Sequence, residues 1–368
     1  MMRVPRWLKR LGIAAGVGTI LMAIALIIGG FWVIDMPGSS YNGPRAALSD
    51  IEAITRGRLL QHIRVLTAYL GQRNALDAHT YFDSSLYIAE QLERIGLTTA
   101  RLQPSEIGGY SIANVQAEIV GRTYPNEILV LGAHYDTVAG SLGANDNGSG
   151  VAALIEIARF TAQAAPARTI RFVAFYNEER VSPAGSRLYA EACRARNDNI
   201  VGMISLETIG YYTDAPDTQK YPFPFSLFYP TTGNFLAFVG NTDSRTFVHQ
   251  TIGAFRQTTQ FPSRGVAAPS FFGDTGRSDH VYFWRNNYPA MMVTDTANFR
   301  HSDYHTSNDT LDKIDFDRFA RVTLGLARGV NAMAGSSPAS SASADSTTRP
   351  SLPPPPPNPV LSSRPAEP

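Results

Sequence analysis

His134-Tyr135-Asp136 and, a short Gly-containing stretch later, Asn145-Asp146-Asn147-Gly148-Ser149-Gly150 set an imidazole and two carboxylates close enough in sequence to share a metal ion. Glu178-Glu179, Glu207 and Tyr304-His305 follow farther along the chain. Taken singly these are weak signals. A His beside an Asp also reads as a hydrogen-bonded pair, and Asp-Asn-Gly as a turn. Together they are two imidazoles with a surplus of carboxylates, a donor set that suits two hard-to-borderline cations, zinc best of all. One carboxylate must then bridge ions ~3.5–4 Å apart, and one must stay off the metal to take a proton from bound water.

The apolar runs around these residues say what positions them. Ile128-Leu129-Val130-Leu131 reads as a buried strand that ends near His134, and a helix with Val151, Leu154, Ile155 and Ala158 at helical spacing follows the Asp146 loop. Ile170 to Phe175 ends at Asn177-Glu178-Glu179, Val201 to Leu206 ends at Glu207, and Ala290 to Val293 leads through Thr294-Asp295-Thr296 to His305. Further helices are predicted over Ile51–Leu70, Tyr81–Ile95 (closed by Gly96), Pro183–Ala195, Arg245–Phe255 and Phe316–Met333, and strands over Tyr110–Val120 and Phe235–Val239. This alternation predicts an α/β fold with a mixed, mostly parallel central sheet and helices on both faces. The carboxyl ends of parallel strands share one edge, which is where such sheets bind ligands. Thr213–Thr232 and Phe261–Thr275 show no period and read as long loops.

Composition narrows the chemistry. The formal net charge of +1 gives no sign of nucleic-acid binding, and the single Cys193 excludes an intrachain disulfide framework and a Cys-rich zinc module. Any metal is therefore held by His and carboxylates. At the start, a basic segment 1–10 (Arg3, Arg6, Lys9, Arg10) precedes an uncharged stretch from Leu11 to Ile34, with Trp7 and Trp32 near its ends. As a helix, 11–34 spans a hydrocarbon core of ~30 Å and is longer than the apolar part of a cleaved signal peptide. The expectation is a transmembrane signal anchor with its N-terminus cytoplasmic and the remainder on the extracytoplasmic side of the cell membrane. A linker, 35–50, a domain, 51–335, and a Ser/Ala/Pro-rich tail, 336–368, complete the chain; the tail's composition cannot bury a core. There are no internal repeats.

The ordered set of His134-x-Asp136, Asp146 in an Asn-Asp-Asn-Gly loop, Glu178-Glu179, Glu207 and Tyr304-His305 resembles the M28 family of zinc aminopeptidases over roughly Leu59 to Ala332. The resemblance implies two zinc ions per chain. His134 would bind one, Asp146 bridge both, Glu179 and His305 sit on opposite metals, and Glu207 be the remaining acidic ligand. Glu178 would be the general base for a metal-bridging water, Asp136 would orient the His134 imidazole, and Tyr304 would donate to the oxyanion. Only the resemblance separates Glu178 from Glu179. The implied substrate is a peptide with a free N-terminus. The familiar aminopeptidases carry Asp where Glu207 stands, which puts substrate preference in doubt and keeps a carboxypeptidase in view. A glutaminyl cyclase-like acyltransferase is a second alternative, although such cyclases tend to have Trp where Tyr304 is. A non-catalytic binding ectodomain is a third.

Five secondary expectations complete the reading. Ser278-Asp279-His280 lines or braces the site, and Asp309 braces the loop around His305. His301 and Asp303 lie in a solvated loop, and Cys193 needs no role. Phe223, Phe225, Phe228 and Tyr229 form either an apolar specificity pocket or a lid packed on the core. Oligomeric state is not legible.

Overall fold

The computed structural model describes residues 29–180 and 185–335. Eight strands make one sheet: β1 (Thr99–Ile107), β2 (Tyr110–Ile119), β3 (Tyr124–His134), β4 (Arg168–Phe175), β5 (Asn199–Glu207), β6 (Leu236–Asn241), β7 (Ser263–Ala268) and β8 (Ala290–Thr294). Their order is β1-β2-β4-β3-β5-β8-β6-β7. The central four, β4-β3-β5-β8, are mutually parallel; β1, β2 and the β6–β8 pairing are antiparallel. The helices are α1 (Asp50–Arg64), α2 (Ala78–Arg94), α3 (Gly148–Thr161), α4 (Gly185–Ala195), α5 (Arg245–Thr258), α6 (His280–Arg285) and α7 (Phe316–Met333).

Alternate residues of β3 feed two cores. Leu129, Leu131 and Ala133 pack with apolar faces of α1, α2, α3, α5 and α7, among them Leu59, Ile88, Val151, Phe255 and Phe319. Ile128 and Val130 pack with Tyr189, Cys193 and Phe283 of α4 and α6. Burial on both faces is why the central strands read as continuous apolar runs rather than alternating ones. It also gives Cys193 a place: it is core.

Several predicted boundaries shift. The first helix is α-helical only to Arg64 and then widens into a π-helical segment, Val65–Leu70. α2 ends as expected, with Gly96 at φ +92°, a left-handed position that suits glycine. β1 and β7 lie where no strand is predicted. Both are outermost strands of the sheet; β1 buries no residue fully, and β7 buries only the small Ser263, Gly265, Ala267 and Ala268, so neither carries a run of large apolar residues. α6 has six residues, too short for a helical period. The linker is strapped to the domain: Arg256 Nη1 donates to the carbonyls of Met36, Pro37 and Gly38, and Arg321 Nη2 to that of Ala46.

Residues 29–34 are helical. No helix among the described residues is long and apolar enough to cross a membrane. The segment 1–10, most of the expected span 11–34, the start of the helix expected from Pro183, and the tail 336–368 lie outside the described residues.

Candidate metal centre

Four parallel strands deliver four site segments to one edge of the sheet. β3 ends on His134. β4 runs into a turn in which Asn177 takes a positive φ, a conformation asparagine tolerates, and presents Glu178 and Glu179. β5 ends on Glu207, paired in register with Thr294 of β8, beyond which the chain reaches His305. Asp146 sits in the loop before α3. That loop is held from several sides: Asp309 accepts the backbone N–H groups of Asn145 and Asp146 at 2.8 and 2.9 Å, and Asn145 Nδ2 donates to Asp295 at 2.9 Å. Asn147 caps α3 through the Gly150 N–H and also takes the Thr208 N–H. Gly143 has φ +58°, and a Cβ there would lie 2.2 Å from the Asp146 carbonyl oxygen, so only glycine fits.

The side chains converge around Asp146. One of its oxygens, Oδ1, stands 3.3 Å from His134 Nε2, which is itself 3.3 Å from Glu207 Oε2. The other, Oδ2, stands 3.0 Å from His305 Nε2, which is 3.1 Å from Glu179 Oε2. Asp146 therefore lies between two donor pairs with one oxygen toward each. His305 and Glu179 share a side, which corrects the expectation that they sit on opposite metals. Asp136 accepts the backbone N–H groups of both Glu178 and Glu179 at 3.0 Å, and its Oδ1 is 3.4 Å from His134 Nδ1. Ser278 donates to Glu207 at 2.7 Å, so the Ser278 segment does brace the site.

This donor set fits a metal. Both ring nitrogens of His134, both oxygens of Asp146 and Glu179 Oε1 are buried without a hydrogen-bond partner, despite their near neighbours. Orphaned buried polar atoms are costly and need a partner. Ligands ~2.0–2.1 Å from a tetrahedral zinc are about 3.3 Å from one another, close to the spacings within each pair. Ligand atoms of His134, Asp146 and Glu179 all lie within 4.8 Å of one another.

The electrostatics agree. Burial alone would lower the His134 imidazole, but Glu207, Asp136 and Asp146 raise it well above its usual value. Burial opposes ionisation of Asp146, yet His134 and His305 hold it well below the carboxylate range. Burial and the nearby Asp146 push Glu179 up to about 8, and burial raises Glu178 strongly, opposed by His134 and reinforced by Glu207, Asp279 and Glu179. Carboxylates so crowded call for a cation.

Tyr304 stacks on the His305 ring (centroids 3.8 Å apart, 15° between planes). With Glu207 it lines a largely apolar cavity of about 160 Å³, whose lining also includes Tyr221, Phe225, Tyr229, Phe235, Phe272 and Met292. Burial, with Asp146 and Glu207 adding, raises the Tyr304 hydroxyl, so it stays a hydrogen-bond donor. Of the four aromatics expected at a specificity pocket, Phe225 and Tyr229 line the cavity. Phe223 does not, being 80% exposed, and neither does the part-exposed Phe228.

Other expectations change. Asp309 braces the Asn145–Asp146 loop rather than the backbone at His305. His301 is not solvated but buried, stacked on Tyr211 at 4.2 Å, while Asp303 pairs with Lys313 at 2.9 Å. Arg73 and Asp295, given no role from sequence, prove central. Arg73 is fully buried and donates to the carbonyls of Leu66, Gly71, Tyr135, Leu142 and Gly143. Asp295 takes the Tyr211 and Ala297 N–H groups besides Asn145. Nothing marks either in a single sequence, since their partners are backbone atoms or sit far along the chain.

Against known proteins, the profile of Peptidase family M28 matches residues 114–330. The uncharacterized protein YfbL of Escherichia coli is 32% identical over 282 residues, 73% of this chain and 85% of that protein. A "Probable zinc metalloprotease" of Pyrenophora teres is 30% identical over 244 residues, 58% of this chain and 49% of that protein, so the chain spans about half the length of that relative. Among solved structures, BSAP, a zinc aminopeptidase from Bacillus subtilis, superposes with a TM-score of 0.60 at 15% identity, covering 76% of this chain and 94% of that one. The glutaminyl cyclase of Tannerella forsythia gives 0.55 at 19% identity, covering 80% and 99%. These structural likenesses carry the fold.

Proposed function

The chain belongs to peptidase family M28, and from that premise we propose that it is a zinc metallo-exopeptidase that removes N-terminal residues from peptides, with two zinc ions in the site. The observation that carries this reading is Asp146, whose two oxygens each face a His–carboxylate pair. His134 and Glu207 would hold one ion, His305 and Glu179 the other, and Asp146 both. When bound, zinc supplies a Lewis acid that polarises the scissile carbonyl and acidifies a water molecule.

The chain's own residues supply the rest. Glu178 forms no ion pair with either site histidine among the described residues, unlike Glu179, and its turn is fixed by Asp136. It is the carboxylate free to take a proton from water as the oxygen bonds to the carbonyl carbon. It returns that proton to the amine as the C–N bond breaks. Tyr304, a protonated donor in the cavity wall, hydrogen-bonds the developing oxyanion. The surplus of carboxylates attracts the cationic α-amino group of a peptide N-terminus. The cavity beside Glu207 and Tyr304 takes an apolar first side chain, and each buried methylene there gains ~0.8 kcal/mol. Leucyl and phenylalanyl peptides are therefore preferred over alanyl or aspartyl ones. We further propose that 11–34 anchors the chain in the cell membrane with the domain outside, a reading supported by the basic flank and uncharged span.

The test is zinc content and hydrolysis by the full chain beside Glu178→Gln, on aminoacyl, N-blocked and N-terminal glutaminyl peptides. The expected result is about two zinc per chain and cleavage of free-N-terminal peptides alone. Glu178→Gln should keep its zinc and lose activity by roughly 10²–10⁴-fold. One zinc with ring closure of glutaminyl peptides would move the chain to acyl transfer. Loss of zinc in Glu178→Gln would make Glu178 a ligand and sink its role as base.

A further inference from the structure

Four of the large apolar side chains that the domain leaves exposed belong to two neighbouring loops. Phe223 (80% exposed), Leu227 (70%) and Phe228 (39%) lie on the outer side of the 221–229 loop, and Phe271 (79%) lies on the loop after β7. An aromatic ladder joins the two loops: Phe225 packs on Phe272 with ring centroids 5.7 Å apart, and Phe272 stacks on Phe271 at 4.9 Å. Solvent-exposed apolar clusters of this kind mark contact surfaces.

The same loop meets the end of the apolar N-terminal stretch. Phe31 packs edge-on against Phe228 at 6.0 Å. Arg245 lies 4.5 Å over the Trp32 ring and donates through Nε to the Trp32 carbonyl at 3.2 Å, and its guanidinium is 3.8 Å from Asp35. Phe31 and Trp32 are themselves exposed and close the uncharged sequence 11–34. Through the Phe31–Phe228 contact the loop aromatics thus adjoin the point where the chain leaves the lipid under the anchor reading, with Arg245 and Asp35 beside it. Aromatic side chains at that level are the ones that favour the interfacial layer of a bilayer.

We propose that the outer face of the 221–229 loop, together with Phe271, seats in the bilayer interface, so that the catalytic cavity opens beside the membrane. The proposal rests on the reading of 11–34 as an anchor. The inner side of the same loop, through Phe225 and Tyr229, walls the cavity, so the loop connects the lipid surface to the place where the first side chain of the substrate binds. The occupant is the lipid itself, because the patch is apolar and continuous with a segment whose composition is that of a membrane span. The substrate class favoured by this placement is the N-terminus of a peptide lying at the membrane surface.

The experiment uses the full chain in phosphatidylcholine vesicles, with an environment-sensitive fluorophore on Leu227→Cys, Phe271→Cys and, as a control, Asn126→Cys near the exposed start of β3, four strands away from β7 in the sheet. Buried Cys193 in the wild type gives the labelling background. Vesicle flotation reads anchoring, and quenching by acyl-chain-brominated lipid reads depth. Flotation with blue-shifted emission at 227 and 271, lost in brominated lipid while 126 is unaffected, is the expected result. Flotation with both labels reading as in water overturns the proposal and leaves the anchor standing. A chain that fails to float overturns both. Blue-shifted labels that brominated lipid does not quench, in a chain that sediments as a dimer, assign the patch to a second copy and likewise overturn it.

Discussion

Arg73 shows how much of this site depends on a residue that never touches it. Its guanidinium gathers the Tyr135 carbonyl, beside His134 and Asp136, and the Leu142 and Gly143 carbonyls, which open the Asp146 loop. Lysine in its place keeps the charge but cannot fan donors across five acceptors. Buried acceptors left unpaired cost about 1–3 kcal/mol each, so Arg73→Lys should lower Tm. Because the two loops carry His134 and Asp146, it should also weaken zinc affinity by about 10–100-fold, read by competition against a chelator below Tm. A lowered Tm with unchanged zinc affinity would leave Arg73 a structural residue only. Asp136 acts more directly. Each of its oxygens takes one N–H of the Glu178–Glu179 turn, and an amide keeps only one acceptor. Asp136→Asn should therefore lower kcat by about 10–100-fold at saturating zinc with KM little changed, and weaken zinc binding as well, since Glu179 sits in the same turn and His134 beside it; a loss confined to KM would contradict a role in placing Glu178.

At the level of elements, the N-terminus of α1 is the joint between linker, first helix and last helix. Glu52 accepts the Ser49 N–H at 2.8 Å and the Ser49 hydroxyl at 2.9 Å, and stands 3.3 Å from Arg321 Nε of α7. Although burial opposes ionisation, Ser49 and Arg321 hold the Glu52 carboxyl below its usual range. A depressed carboxyl stabilises the fold fully above its unfolded pKa of ~4.3 and loses that contribution as pH falls through the lower folded value. Glu52→Ala should thus cost about 1–3 kcal/mol at neutral pH, with the gap in urea midpoints closing below about pH 4; a gap constant with pH would contradict it. Elements like α7 and β3 were legible because burial stamps a period or a run on the sequence. β1 was not, since it buries too little to do so, and β7 was not, since the residues it buries are small: Ser263, Gly265, Ala267 and Ala268. The same physics divides the site. His134, Asp146, Glu179, Glu207 and His305 follow apolar strands and announce themselves. The placing of His305 beside Glu179 depends on a turn at positive φ, which no pattern of residue types encodes.

Across the whole molecule, the site gathers Asp136, Asp146, Glu178, Glu179 and Glu207 around two imidazoles, drawn from positions spread over most of the domain. Without a cation this convergence works against folding, and the direction of its pH dependence follows. In the metal-free chain, burial and Asp146 raise Glu179 to about 8. Its folded state then holds a proton that the unfolded chain releases near ~4.3, so stability falls as pH rises between those values. Asp146 and Glu179, against the opposing effect of burial, raise His305 to about 10. That contribution is complete below the unfolded imidazole pKa of ~6.5 and is lost as pH climbs toward 10, the same direction. Zinc reverses the sense, because its ligands bind deprotonated and its affinity grows with pH. At free zinc about 100 times Kd, binding contributes ~2.7 kcal/mol to stability. Chelation should therefore lower Tm by several degrees, and the difference between zinc-replete and chelated protein should widen steadily between roughly pH 5.5 and 8.5. Calorimetry across that range decides it. A difference that narrows with pH would mean that the carboxylates at the sheet edge are not the groups holding the metal.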